Sequence, residues 1–219
     1  MPGKYIFYDL ETTGKGKKEN ANSFGTTPKW EQILQIAAIV VDENFQETNQ
    51  NLNEFCRPRL SVIPQPGALL ITKKGIKDSL AAEKSSYELM TKIYNTFESW
   101  KKDIPESVWV GHNSLEFDET VLEYNLFSNL FFPYITRTNR GDTLNLARAL
   151  YAINPTLIKT SLTSKGNPSF KLDKLAGLNK LPVDFAHDAF SDVKTSIALM
   201  KYVHDQDQQN WDLLSMTMN

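Results

Sequence analysis

Cysteine is almost absent. Cys56 is the single one in 219 residues, which excludes an intrachain disulfide framework and a cysteine-built zinc site. Histidine is scarce as well, at three residues. No apolar run approaches the length needed to span a bilayer, and no charged-then-apolar leader opens the sequence. A soluble, cytoplasmic protein is the expectation. Positive charge is not in excess: 24 Lys and Arg face 26 Asp and Glu, a net charge of −2. A chain-wide basic signal for nucleic acid is therefore missing. A nuclease is not excluded by this, because a groove needs only a local basic patch and a bound cation brings its own charge. Internal repeats and low-complexity blocks are also lacking. With 41% hydrophobic and 23% charged residues, the composition excludes global disorder.

What is present is a pair of carboxylates in an unusual place. Asp9 and Glu11 lie within Tyr5-Ile6-Phe7-Tyr8-Asp9-Leu10-Glu11, a run that reads as a buried strand. A buried carboxylate is costly unless a cation or strong donors compensate it. Residues two apart in a strand share a face, so Tyr5, Phe7, Asp9 and Glu11 point one way and Ile6, Tyr8 and Leu10 the other. Two neighbouring carboxylates repel, and a divalent metal is the natural third party.

Around this strand the pattern alternates. Residues 33–42 and 52–57 read as strands, and the polar, turn-rich residues 14–30 as a long loop. Pro64-Gln65-Pro66-Gly67 predicts a turn. Residues 87–100 have helical spacing, with Leu89, Ile93, Phe97 and Trp100 on one face. A short strand at 108–110 leads into the loop Gly111-His112-Asn113-Ser114. Helices follow at 117–130, at 142–151 with Asp142 as N-cap, and at 170–177, with a loop over 153–169. The last helix runs over about 188–203 with Ala189, Val193, Ile197 and Met200 as its apolar stripe. These elements predict an α/β fold, a mixed central sheet flanked by helices. The organisation is one domain over 1–204 and a polar, frayed tail over 205–219.

Further acidic and basic positions join the pair. Asp118 stands near the start of a helix, and His187 and Asp192 lie in His187-Asp188-Ala189-Phe190-Ser191-Asp192. The pattern Asp-x-Glu, then Asp, then His-x4-Asp resembles the DEDDh (DnaQ-like) 3′→5′ exonuclease superfamily, which has an RNase H-like fold. The motifs stand here as Asp9-Leu10-Glu11-Thr12-Thr13-Gly14, as Asn113 with Phe117-Asp118, and as His187-Asp188-Ala189 with Asp192. The alternative subclass places a Tyr where Asp188 stands. Within the superfamily, Gln65-Pro66-Gly67-Ala68-Leu69-Leu70-Ile71-Thr72, Asn129-Leu130-Phe131-Phe132-Pro133-Tyr134 and Ser169-Phe170-Lys171-Leu172 are similar to segments of the bacterial exodeoxyribonuclease I nuclease domain. So is His187 through Ala198, and the resemblance as a whole covers about residues 4–204.

The resemblance implies roles. Four carboxylates suit two oxygen-seeking ions, magnesium foremost with manganese as the substitute. Asp9, Glu11 and Asp192 would hold one ion, and Asp9 with Asp118 the other. His187 would be the general base, since an imidazole titrates near operating pH. Glu11, Tyr134, Arg148 and Lys171 would meet the substrate strand. Bacterial relatives tend to carry Arg where Lys171 stands, so the charge is kept and the two-pronged geometry is lost.

The implied activity is metal-dependent 3′→5′ hydrolysis of single-stranded DNA to 5′-mononucleotides. Its rivals are the same chemistry on short RNA or as a polymerase proofreading subunit, and an inactive nucleic-acid-binding module. Docking to a single-strand-binding protein is not carried over, and no membrane partner is expected. The cluster Phe131-Phe132-Pro133-Tyr134 reads as core, with Tyr134 the exception. His112 and His204 read as ordinary surface histidines.

Overall fold

The computed structural model describes residues 4–14, 31–72, 76–182 and 188–218. Its centre is a five-stranded sheet in the order β3-β2-β1-β4-β5. The strands are β1 (Tyr5–Thr12), β2 (Ile33–Val41), β3 (Glu47–Phe55), β4 (Val108–Gly111) and β5 (Arg140–Asp142). β2 pairs antiparallel with β1 and β3, while β4 pairs parallel with β1 and β5. The sheet is mixed, as expected, and helices cover both of its faces.

The period-2 reading of the first strand holds. Tyr5 and Phe7 lie in one apolar cluster with Leu146, Leu150, Val193 and Met200. Ile6, Tyr8 and Leu10 lie in the other, with Leu89, Ile93, Phe97 and Leu122. The first layer is built by α5 (Thr143–Ile153), α6 (Leu172–Leu178), α7 (Ala189–Gln206) and α8 (Trp211–Met216). The second is built by α3 (Ser86–Asp103) and α4 (Asp118–Ser128). Asp9 and Glu11 continue the Tyr5–Phe7 face and therefore open toward α7.

Local chemistry explains where several elements begin. α3 starts at a reciprocal cap: Ser85 accepts from the Glu88 N–H, and Glu88 accepts from the Ser85 N–H. α5 starts at Asp142, which accepts from Leu144 N at 2.9 Å, the N-cap its type predicts. β1 ends at an irregularity, for Glu11 pairs with Gln35 but Thr12 with Ile33, leaving Leu34 as an extra residue on β2. Such bulges re-aim side chains at strand ends, here beside the carboxylates. Gly111 has to be glycine for space: a Cβ there would lie 2.5 Å from Ser114 Cβ and 2.9 Å from the Tyr8 carbonyl oxygen.

The structure corrects four local expectations. β3 begins at Glu47, five residues before the expected start. It is an edge strand whose polar sequence hides it, and pairing to β2 decides it. Residues 66–72 form a helix, α1 (Pro66–Thr72), where a turn was expected, because a proline costs nothing in a first turn. The expected loop over 153–169 contains a small hairpin, β6 (Ser161–Leu162) with β7 (Pro168–Ser169). A short α2 (Ile76–Leu80) and strand β5 had no sequence signal.

The expected frayed tail is packed. α7 runs on to Gln206, and α8 buries Leu214 while Met218 is also buried. The Met218 carbonyl accepts the Asp142 N–H at 2.8 Å, so the C-terminal segment closes the outer edge of β5. Gly141 makes room for it, since a Cβ there would stand 3.2 Å from Met218 Cβ.

Candidate active site

Three of the expected carboxylates converge. One oxygen each from Asp9, Glu11 and Asp192 lie within 4.8 Å of one another. Asp9 and Glu11 come from the end of β1, and Asp192 from the first turn of α7. All three are half-buried. Asp118 reaches the same strand end from the other layer. β1 outruns β4, pairing with it only as far as Phe7, so the Leu10 N–H lacks a ladder partner on that side. The Asp118 carboxylate accepts it at 3.2 Å. Asp118 is thus more than a helix-starting residue: it is 5% exposed and ties α4 to β1.

The electrostatics show one cluster. Burial first, and then the charges of Asp118, Asp192, Glu11 and Asp188, push the Asp9 carboxyl well above the usual carboxylate range. Burial and the Asp142 charge push Asp118 from its ordinary 3.8 up to about 7, against the pull of backbone donors including Leu10 N–H. Crowded, partly desolvated carboxylates with raised pKa values form a cluster whose negative charge a cation would offset.

The donor set fits a hard divalent ion. All three groups are carboxylate oxygens, and magnesium with bonds of about 2.1 Å places two of its ligands at most about 4.2 Å apart. The observed spread needs only a small contraction. Asp9, Glu11 and Asp192 could hold such an ion, and Asp118 stands beside Asp9 for a second.

A linkage prediction follows. Asp118 has a folded pKa raised above its unfolded value, so it favours the fold at low pH and that stability is lost as pH rises through about 7. In EDTA, the melting temperature of the native protein relative to Asp118→Asn should therefore fall between pH 5 and pH 8. The expected drop is roughly 5 °C, from about 2 kcal/mol of linkage. Magnesium should reverse it. A difference that is flat with pH in thermal melts would refute this reading of the cluster.

His187 lies outside the described residues. Its neighbour Asp188 caps α7, accepting from Ser191 N at 3.4 Å and from the buried Gln35 Nε2 at 3.1 Å. Gln35 is the β2 partner of Glu11, so the start of α7 is fastened to the strand beside the carboxylates.

Of the four expected strand contacts, Glu11 is half-buried in the carboxylate cluster and the other three are on the surface. Arg148 (α5) and Lys171 (the residue before α6) are exposed. Tyr134 is 47% exposed and carries the Arg137 guanidinium over its ring at 4.6 Å. The core reading of the Phe131–Tyr134 cluster holds only in part. Phe131 stacks on Tyr94 at 5.0 Å and on Tyr87 at 5.8 Å, whereas Phe132 is 57% exposed. The basic run Lys15-Gly16-Lys17-Lys18 lies outside the described residues.

Two residues gain a place that the sequence did not suggest. Asp142, expected only as a helix cap, also accepts from Asn113 N at 2.7 Å and Leu115 N at 3.3 Å. It thereby holds the loop between β4 and α4, including Asn113 in the left-handed region at φ 64°. His112 was expected at the surface. It is half-buried, and both of its ring nitrogens are bonded, Nδ1 to Thr143 Oγ1 and Nε2 to the Phe170 carbonyl, each at 2.9 Å. His204 meets Phe45 and Trp211 edge-on at 5.4 and 5.0 Å.

Comparison with known proteins agrees with this geometry. Residues 6–200 match the model of the RNase T family, described as an exonuclease. Exodeoxyribonuclease I of Escherichia coli K12 is 30% identical over 214 residues, covering 96% of this chain and 42% of that protein. The Haemophilus influenzae enzyme of the same name is 30% identical over 190 residues, covering 84% of this chain and 39% of its own length. A crystal structure of E. coli exonuclease I with a dT13 oligonucleotide superposes with a TM-score of 0.81 at 29% identity, over 95% of this chain and 42% of that one. A zinc-bound form of the E. coli enzyme with single-stranded DNA gives 0.82 at 28%, over 97% and 43%. The chain spans about two fifths of the length of these relatives. Among the described residues no helix is long and apolar enough to cross a membrane.

Proposed function

The chain belongs to the RNase T exonuclease family, and from that premise we propose that it is a divalent-metal-dependent 3′→5′ exonuclease releasing 5′-mononucleotides from single-stranded DNA. The observation that carries the reading is the convergence of Asp9, Glu11 and Asp192, with Asp118 bonded to the same strand end. Four carboxylates gathered at one strand end repel one another, a cost that a bound divalent cation would offset.

Asp9, Glu11 and Asp192 hold one ion in this reading, and Asp9 with Asp118 the second. Magnesium, or manganese in its place, neutralises phosphate charge and makes a bound water acidic enough to attack at neutral pH. His187 takes the proton of that water. Its position one residue before Asp188, whose charge already acts on Asp9, supports the assignment. Glu11 meets the terminal 3′-hydroxyl. Tyr134 offers a ring on which a base can stack, and Arg148 and Lys171 offer charge to the strand phosphates. Their exposure supports that role, and so do the oligonucleotide complexes of the similar E. coli enzyme.

The test is a digestion panel of 3′-labelled single-stranded DNA, duplex DNA and RNA, with magnesium and with EDTA. Fast release of labelled mononucleotide from single-stranded DNA, abolished by EDTA, is the expected result. A clear preference for RNA would overturn the substrate, and internal cleavage products would overturn the exonuclease.

A further inference from the structure

His112 joins two parts of the molecule that the proposed function uses separately. One is the loop running from β4 to Asp118. The other is the junction between β7 and α6, which carries Lys171. The loop is held rigidly: Asp142 takes two of its N–H groups, Phe117 N donates to the Asn113 carbonyl at 3.2 Å, and Glu119 N donates to the Ser114 carbonyl at 2.9 Å. From its first turn the His112 ring extends to α5 and to the junction. The Phe170 carbonyl can only accept, so Nε2 carries the ring proton; the single Thr143 hydroxyl proton then goes to Nδ1 at 2.9 Å in preference to the Gly111 carbonyl at 3.3 Å.

The charge state suits this arrangement. Burial, assisted by the Arg148 charge and opposed by Asp142, the Phe170 carbonyl bond and Asp173, pushes the imidazole pKa down, which favours the neutral ring with one donor and one acceptor nitrogen. Arg148 and Lys171, the two basic residues assigned to the strand, belong to the two segments that the ring bonds. Arg148 lies on the helix that begins at Thr143, and Lys171 directly follows Phe170. Phe170 itself packs edge-on against Tyr151 at 5.5 Å, one turn along α5 from Arg148.

We propose that His112 is a positioning residue that couples the Phe170–Lys171 segment, which grips the strand, to the loop that presents Asp118. The inference rests on the proposed function for the roles of Lys171 and Asp118. Its consequence is that the reach from the strand phosphates to the cleavage site is set by one imidazole bonded at both ends.

Two amide substitutions separate its two bonds. His112→Asn can reproduce the Nδ1-side contact to Thr143 but is too short to reach Phe170, whereas His112→Gln can donate to the Phe170 carbonyl. Binding of a fluorescein-labelled oligothymidylate is measured by anisotropy in EDTA. Hydrolysis of the p-nitrophenyl ester of thymidine 5′-monophosphate is measured with magnesium. The ester has no second phosphate to meet Lys171.

His112→Asn should weaken strand binding about five- to tenfold, the effect of one buried hydrogen bond, and His112→Gln should restore it to within about twofold. The loss on the strand should exceed the loss on the ester several-fold. In a Lys171→Ala background the Asn substitution should cost little more, as coupled groups do. The proposal is overturned if Asn and Gln bind the strand alike, if strand and ester suffer equally, or if the Lys171→Ala background leaves the Asn effect intact. A native protein that binds the strand but hydrolyses neither substrate would sink the nuclease reading and leave the coupling standing.

Discussion

Asp9→Asn is expected to lower kcat on single-stranded DNA at least about 10³-fold while raising the melting temperature of the metal-free protein. The loss follows from Asp9's place in the cluster. Its carboxylate feels the charges of Asp118, Asp192, Glu11 and Asp188 together, so it is the group shared by everything the site assembles. Asparagine keeps the shape and one acceptor oxygen but removes the negative charge that would bind both cations. Losing a single well-placed electrostatic contact already costs about 10²–10³ in rate, and in the proposed function the contact would serve two ions. The gain in stability follows from the same repulsion. With burial and four neighbouring charges raising its pKa, an ionised Asp9 works against the fold, and a neutral amide relieves that strain. Steady-state kinetics with magnesium and thermal melts in EDTA check both halves. Activity within tenfold of the native protein would sink the metal assignment. A fall in both activity and melting temperature would make Asp9 a structural residue.

His187→Ala carries the second large effect, a kcat loss of about 10²–10⁴-fold, the usual contribution of a positioned general base. Metal affinity should be unchanged, because the residue is not among the four carboxylates. Manganese titration of the variant measures this. The pH profile gives an independent readout. A base works only when unprotonated, so the native rate should climb with pH as the base loses its proton and then level off. The variant should lose that rising limb. The surrounding geometry is favourable. Asp188, the next residue, is fastened to Gln35 and caps α7 four residues before Asp192 turns into the cluster. Substituting His187 leaves those bonds in place, so a failure of folding is not expected to obscure the result. An unchanged rate and an unchanged pH profile would assign the base elsewhere.

Much of the site was legible in the sequence because its parts obey local rules. Asp9 and Glu11 stand two apart in a strand, and a period of two forces them to one face whatever the rest of the chain does. The apolar stripe Ala189, Val193, Ile197, Met200 locates α7 and puts Asp192 in its first turn, near the end that meets the sheet. The Asp142 cap needs only the peptide groups that follow it. The elements that were missed lack such signals. β5 is three residues long, β3 is a polar edge, and α8 lies in a segment whose charged and amide residues mask two buried contacts, Leu214 and Met218.

The residue types and the strand parity, and with them the family, were determined by the sequence alone, because they depend on spacing within a few turns of chain. The meeting of Asp9, Asp118 and Asp192 was decided only by the tertiary structure. It depends on β1 running at the centre of the sheet, on β4 stopping short so that Leu10 N–H is left for Asp118, and on two helix layers arriving at one strand end. The same is true of Asp142 reaching residues 113 and 115 and of His112 reaching Phe170. Those bonds join positions 27 to 58 residues apart in the chain, and no periodicity of strand or helix extends that far.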